Sequence, residues 1–542
     1  MAPQTVPRGL VVSLSALILV ASLARLVDLE RMLVWHDEVY TAVRALGFDQ
    51  AKLAPVLFSA RLLHPADLLA LQAPVARHTW FDTLQALARH PEHSPLYYLG
   101  ARLATHWVDP PMLALRGVAA LVSLLLAPTV FWLMRELFGP GKAPWIAATL
   151  VVVSPFHLLY AQEARQYALW AVALAAAAAS LLRALRTGRA GDWRLYATLM
   201  TTGLYSHLLF VLMLPLHGLY VLLARRAGLH GSHPVVGPWL KATGVALVLF
   251  SPWLSLLALR SAAVEQYIAW MERPVATLTL FQAWGQHLSR LFVDPTPQFS
   301  NWWLLGLLPL GWMFWRFCSA APRPSRWFPC LLVGISAATV LGPDLLAGGS
   351  RSLHARYVLP TLLGVHLVVA WVLAAEWQGV SAPRRAGAAL GFALLIGLGG
   401  WSGVRILHAD TWWTKNFSAD NGAVARLINA GDRPLVLASE LGVSVGELIS
   451  LAYYLRPDVA LWGEPSGRAY DLPRGFSDLF VLTPSPSLRA RLEQRHRLVP
   501  LLDTWQWYRV EPKVSSARQE MPPHSLAKPS DTVPRPLPRP SP

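Results

Sequence analysis

The strongest pattern along the chain is the long apolar run. Runs approaching 20 residues lie at about 10–28, 112–134, 143–160, 167–185, 238–259, 302–317, 327–347, 357–377 and 386–404. At 1.5 Å rise per residue, a helix of that length matches the hydrocarbon core of a bilayer. The stretch 194–224 is too long for one straight helix, and Gly203 and His207 sit near its middle. It reads as two short spans meeting near a membrane face. The expectation is a polytopic α-helical membrane protein with about 11 transmembrane helices and its two ends on opposite sides. The segment around 94–108, with the sequence SPLYYLGARLATHW, is short and carries Arg102 and His106. It reads as an amphipathic helix lying in the interface and not as a crossing.

After about residue 405 the long apolar runs stop. AVARLINAG and VGELISLAYYL have helical spacing, whereas RPLVLAS, DVALW, DLFVLTP and the WQWYRV region read as strands. Strands alternating with helices predict a small α/β domain over 405–510. Residues 511–542 are rich in proline and predict a disordered tail. Residues 1–404 then form the transmembrane domain, with 29–111 as its first external loop.

Composition supports that division. Of 542 residues, 54% are hydrophobic and 14% are charged, against about 25% charged in an ordinary soluble domain. This excludes a disordered chain, a coiled coil and a disulfide scaffold. The net charge is +16, and its placement decides its meaning. Basic residues follow alternate spans: Arg135 and Lys142; Arg183, Arg186, Arg189 and Arg194; Arg225 and Arg226; Arg316, Arg323 and Arg326; Arg384 and Arg385. Those loops are cytoplasmic by the positive-inside rule, which puts the N-terminus inside. The charge is therefore topological, and no nucleic-acid partner is expected. The segments 29–111, 260–301 and everything beyond 405 face outside.

An unusual set of polar residues falls on that outer face. Trp35-His36-Asp37-Glu38 follows the first span, and Glu92-His93-Ser94-Pro95 precedes the interfacial helix. Gln162-Glu163-Ala164-Arg165 ends the third span, and His207 marks the break in 194–224. Arg351, His354 and Arg356 open the run at 357–377. Singly, each has an ordinary reading: an acidic turn, an ion pair at a helix end, a satisfied histidine, interfacial anchors. Together they place costly polar groups at membrane depth on one face, which points to function.

The segments WHDEVYTA, HSPLYYLGARL, LRGVAALVSLLLAPTVFWLMRELFG and SPFHLLYAQEARQYALW, with the later RSLHARYVLPTLLG, resemble the bacterial branch of glycosyltransferase family 39. That family includes protein O-mannosyltransferases and the lipid A aminoarabinose transferase. The resemblance runs over roughly 35–225 and again near 351–365. It implies the GT-C fold, a sugar donor linked to a polyprenyl phosphate, and chemistry on the periplasmic or extracellular face of a bacterial inner membrane. The family's acidic pair matches Asp37 and Glu38, and its second polar cluster matches Gln162, Glu163 and Arg165.

On this reading Asp37 is the base that takes a proton from the acceptor hydroxyl. Glu38 orients the acceptor or binds a cation. Arg351 and Arg356, with Arg165 as a third, stabilise the leaving phosphate. His93, His207, Tyr97, Gln162 and Glu163 contact the substrate, and a single displacement inverts the anomeric carbon. The partners expected are the lipid-linked donor, a glycan, lipid or protein acceptor, and the bilayer. No metal is assigned, because His36, Asp37, Glu38 and His93 have no tetrahedral signature, although a divalent cation remains open as cofactor. The rival reading is a transporter or flippase of a lipid-linked sugar. Transporters place ionisable groups near the midplane and show inverted repeats; neither is visible here. A third reading makes the C-terminal domain a binding module through exposed Trp462, Trp505 and Trp507.

Overall fold

The computed structural model describes residues 6–228, 233–296, 301, 303–467, 470–502, 504 and 506–513. The proline-rich segment from 514 onward and Trp505 lie outside the described residues.

Among the described residues, eight helices are long and apolar enough to cross a membrane: Arg8–Leu26, Pro111–Phe138, Tyr167–Thr187, Leu208–Arg226, Val236–Leu259, Arg323–Leu346, Ala355–Trp377 and Ala382–Leu407. A bent pair, Lys142–Val153 and Pro155–Ala161, makes nine if its 58° break lies within one span. The expected count of eleven is not reached by this measure. Helices do occupy the two remaining positions. Ala190–Ser206 has only 17 residues, and Trp303–Ala320 is interrupted by Pro309 and Arg316. The long 194–224 stretch does break at His207, whose extended backbone separates the two helices. The interfacial segment is a nine-residue helix, Leu96–Ala104. At about 14 Å it is too short to cross.

Two helices form the centre of the bundle. Tyr167–Thr187 and Ala355–Trp377 are each 89% buried over their most apolar stretch, whereas Arg8–Leu26 and Ala382–Leu407 are mostly exposed at the periphery. The first central helix carries the run ALAAAAAS. Small side chains there let neighbouring backbones approach, which is how helices associate without a hydrophobic driving force between them.

The C-terminal region is built on a six-stranded sheet in the order β1-β3-β2-β4-β6-β5. Its strands are β1 Leu62–Leu63, β2 Pro434–Ser439, β3 Ala460–Glu464, β4 Asp478–Leu482, β5 His496–Pro500 and β6 Trp507–Pro512. β2 pairs in parallel with β3 and β4, and the other pairings are antiparallel. Every residue of β2 is buried, as suits a central parallel strand. Strand β1 comes from the segment between the first two spans, with Leu62 opposite Trp462, so that segment and the C-terminal region share one sheet. Trp462 and Trp507 are both 2% exposed. They belong to the sheet's core, which removes them as an exposed binding face.

Candidate active site

The polar residues singled out in the sequence gather around the helix His36–Ala45, the site helix. Its first turn carries two consecutive carboxylates, and successive helix positions point about 100° apart. Asp37 and Glu38 therefore face different surroundings.

Asp37 faces a cavity of about 350 Å³. Its Oδ2 lies 3.3 Å from Arg356 Nη1 and 3.7 Å from Arg165 Nη2. Its Oδ1 lies 3.4 Å from His36 Nε2. Burial alone would raise the Asp37 carboxyl, but Arg165 and Arg356 outweigh it and hold the group well below the usual carboxylate range. Arg165 is aimed by its Nη1, which donates to Thr41 Oγ1 at 3.2 Å and to the Asp37 carbonyl at 3.3 Å. Arg356 lies 5.7 Å from the Trp35 ring centroid and 5.2 Å from that of Tyr357. Both Nε atoms are buried without a hydrogen-bond partner among the described residues. Buried, unsatisfied guanidinium donors around a cavity are a site for an anion.

The cavity wall also holds His93, His207 and Arg351. The His207 ring stacks on Trp170 at 3.9 Å between centroids and a 7° interplanar angle, and its Nδ1 accepts from Leu209 N–H at 3.1 Å. Burial pushes His93 well below its ordinary range, so its imidazole is neutral. Arg351 is partly exposed and spans Asp344 and Glu272, each at 3.3 Å. Six of the expected residues thus share one cavity: Asp37, His93, Arg165, His207, Arg351 and Arg356.

Four do not line it. Glu38 is fully buried behind the cavity in a closed network. Its Oε1 accepts from Arg116 Nε at 2.8 Å and from Ala164 N–H at 2.8 Å. Its Oε2 accepts from Arg116 Nη2 at 2.6 Å and from Lys415 Nζ at 3.0 Å. Arg116 also donates to the carbonyls of Leu29, Met32 and Leu33. Glu38 has no lone pair directed at the cavity for an acceptor or a cation; it anchors the site helix. Glu163 points the same way, 3.6 Å from Lys415 Nζ, while Arg165 two residues on turns into the cavity. Burial raises the Glu163 carboxyl. Gln162 donates to the Val27 carbonyl at 2.9 Å and so ties its turn to the chain after the first span. Tyr97 donates to the Leu115 carbonyl at 2.8 Å, joining the interfacial helix to Pro111–Ser123.

The structure adds residues to which the sequence reading gave no role. Glu92, named there within the polar set, lines the cavity beside His93, with His90 Nδ1 and His93 Nε2 at 3.4 and 3.6 Å from its Oε1. Its signal was adjacency to His93 in the EHSP motif. Tyr267, Trp270 and Met271, from the segment that follows the span Val236–Leu259, close another wall. Lys415 follows the last span and reaches Glu38 and Glu163 from the C-terminal side. A single lysine among tryptophans carries no sequence signal for that role. Among the described residues, no group of three or more His, Cys, Asp or Glu is arranged to hold a metal ion.

Residues 90–256 match the family described as dolichyl-phosphate-mannose-protein mannosyltransferase. No curated protein matches the chain by sequence. Among solved structures, the chain is similar to ArnT from Cupriavidus metallidurans bound to undecaprenyl phosphate. That alignment has a TM-score of 0.51 and 13% identity, and covers 93% of this chain and 98% of that one. The apo form of the same protein aligns with a TM-score of 0.51 and 14% identity, over 93% and 97% of the two chains. An oligosaccharyltransferase from Archaeoglobus fulgidus aligns with a TM-score of 0.47 and 12% identity, over 82% and 64%. The chain shares the fold of the ArnT structures, which is the GT-C fold that the resemblance in the sequence implied.

Proposed function

We propose that this GT-C membrane protein is a glycosyltransferase that moves a sugar from a polyprenyl-phosphate donor to an acceptor hydroxyl, with inversion, on the outer face of a bacterial inner membrane. The observation that carries the reading is Asp37 held between Arg165 and Arg356 in a cavity whose guanidinium donors are partly unsatisfied. The match to a family using a dolichyl-phosphate sugar and the likeness to a structure holding undecaprenyl phosphate support the donor class. The cavity wall includes Thr339 and Val340 of the span Arg323–Leu346. A donor whose tail runs in the bilayer would reach the site past that helix. On this reading the C-terminal sheet lies on the same side as the site, since it takes β1 from the segment between the first two spans.

In the donor-free site the two arginines neutralise Asp37, which makes it a weak base. A lipid phosphate seated on Arg165 and Arg356 competes for the same donors. As those charges turn to the phosphate, Asp37 loses its stabilising partners and its proton affinity rises. The acceptor oxygen then attacks the anomeric carbon while the bond from that carbon to the phosphate oxygen breaks. The acceptor proton goes to Asp37, and the negative charge on the leaving phosphate goes to the arginines. His93, His207 and Glu92 are placed to hydrogen-bond the sugar, and Arg351 stands at the rim. Exclusion of bulk water strengthens each of these interactions.

The test uses the purified full chain in detergent. It is incubated with a panel of labelled undecaprenyl-phosphate hexoses and aminopentoses and with cell envelopes as acceptor. Label is expected to enter the envelope fraction from at least one donor, and D37N is expected to lower that rate by about 10²-fold or more. Full activity in D37N overturns the base assignment.

A further inference from the structure

Behind the site helix lies a buried carboxylate that the mechanism above does not use. Glu447 belongs to the helix Ser444–Ala452, between β2 and β3, and is fully buried. This helix packs directly on the site helix. A Cβ added at Gly446 would stand 2.7 Å from the His36 Cβ, so only glycine allows the approach. Glu447 Oε1 lies 3.6 Å from His36 Nδ1, and His36 Nε2 lies 3.4 Å from Asp37 Oδ1. Carboxylate, imidazole and carboxylate thus stand in a row, running from the C-terminal region into the cavity. Glu447 is fixed from its other side. Ser418 Oγ donates to its Oε1 at 2.5 Å, and Asn421 Nδ2 donates to its Oε2 at 3.2 Å. The same Ser418 Oγ accepts the His36 backbone N–H at 3.1 Å, so one hydroxyl registers both members.

We propose that His36 and Glu447 are the onward half of a proton relay, in which the proton Asp37 takes from the acceptor passes to His36 and Glu447 supplies the counter-charge for the imidazolium. This rests on the glycosyl-transfer reading and deepens it. The step balances: Asp37 gains the proton as the acceptor bond forms, His36 takes it at Nε2 and restores the Asp37 carboxylate, and the imidazolium gives the proton to water that refills the cavity as products leave, so both groups are ready for the next turnover. The groups facing His36 are Asp37 on its own helix, Arg165 and Arg356 across the cavity, Lys415 from the linker, and Glu447 from behind. Burial, with three cations nearby, lowers His36 to about 4, so at neutral pH it is an empty proton acceptor. Burial raises Glu447 to about 7, with Asp420 adding to the rise and the hydrogen bonds from Ser418 and Asn421 opposing it, and Tyr40 of the site helix is the other titratable group beside it. Its charge, and with it the relay, is present above that pH and is lost as the pH falls through it. Glu447 and His36 act through Asp37 and are positioning residues.

The experiment measures transfer by the full-length protein from pH 5.5 to 8.5, using the undecaprenyl-phosphate donor that wild type accepts. It compares wild type, E447Q, E447D, H36Q and the H36Q/E447Q pair. Binding of undecaprenyl phosphate alone is measured on each. E447Q is expected to lose about tenfold in rate at pH 8 and to show no further fall between pH 8 and 6, with lipid binding unchanged. E447D is expected to regain part of the rate, and the pair to be no slower than H36Q. A wild-type pH profile in E447Q, or losses that multiply in the pair, overturns the relay. If E447Q does not fold, H36Q carries the test, and a wild-type rate in H36Q overturns the relay. An active D37N would instead overturn the transfer mechanism itself, so the two failures are distinct.

Discussion

Asp37 and Glu38 are neighbours on one helical turn, yet their surroundings make them different chemical objects. Glu38 is enclosed: two nitrogens of Arg116, the Lys415 ammonium and the Ala164 amide fill its oxygens. Asp37 touches two arginines at 3.3 and 3.7 Å, in a cavity where those arginines keep unsatisfied donors. A closed network of buried charges gives position and little freedom. An open one can exchange partners when an anion arrives. The difference separates the scaffold of the site from its working part, although both are acidic residues in one short motif.

Breaking the closed side has the largest expected effect. Glu38→Ala leaves Arg116 buried without its counter-charge and Lys415 with Glu163 alone at 3.6 Å, at a cost of about 3–5 kcal/mol. The expected result is loss of the monodisperse folded protein in size-exclusion chromatography with a thermal ramp. A stable, correctly folded E38A would mean that the network is not what holds the site helix. Breaking the open side is expected to cost the fold less and stop the chemistry: D37N stays folded and monodisperse, with a smaller fall in melting temperature than E38A, and loses about 10²-fold or more in transfer. A D37N protein that unfolds like E38A would erase the distinction.

The smallest effect tests the rim of the closed side. Glu163 is raised by burial, with Lys415 opposing and Glu38 adding to the rise. A carboxyl raised in the folded state favours folding while it is protonated, and that contribution is lost as pH rises through its folded value. Wild-type melting temperature should therefore decline from pH 5 towards pH 8, and Glu163→Gln should make the decline shallower, with Glu447 supplying the part that remains. An unchanged slope in E163Q would assign the pH dependence elsewhere.

Much of this architecture is legible in the apolar pattern, because a membrane span must satisfy its own backbone over a fixed length. The limits have physical causes. Ala190–Ser206 and Trp303–Ala320 are short or interrupted, so apolarity alone does not separate a span from a long buried helix. Strand β1 has two residues, too few for an alternation to register. In the site, the residues exposed by parity on one face were found as a group. Their direction was not, because a helical turn sends residue 37 forward and 38 back, and the turn after Pro155–Ala161 sends Gln162 and Glu163 away from the cavity but Arg165 into it. Lys415 and Glu447 come from beyond residue 405, and only the folded chain brings them behind the site helix.

The central claim is that a lipid phosphate displaces Asp37 from Arg165 and Arg356. Its most direct test is the affinity of the full-length protein for undecaprenyl phosphate, without sugar or acceptor, compared between wild type and D37N. Removing the competing carboxylate is predicted to tighten binding in D37N even as transfer is lost. Equal or weaker binding in D37N would contradict the exchange of partners on which the mechanism rests.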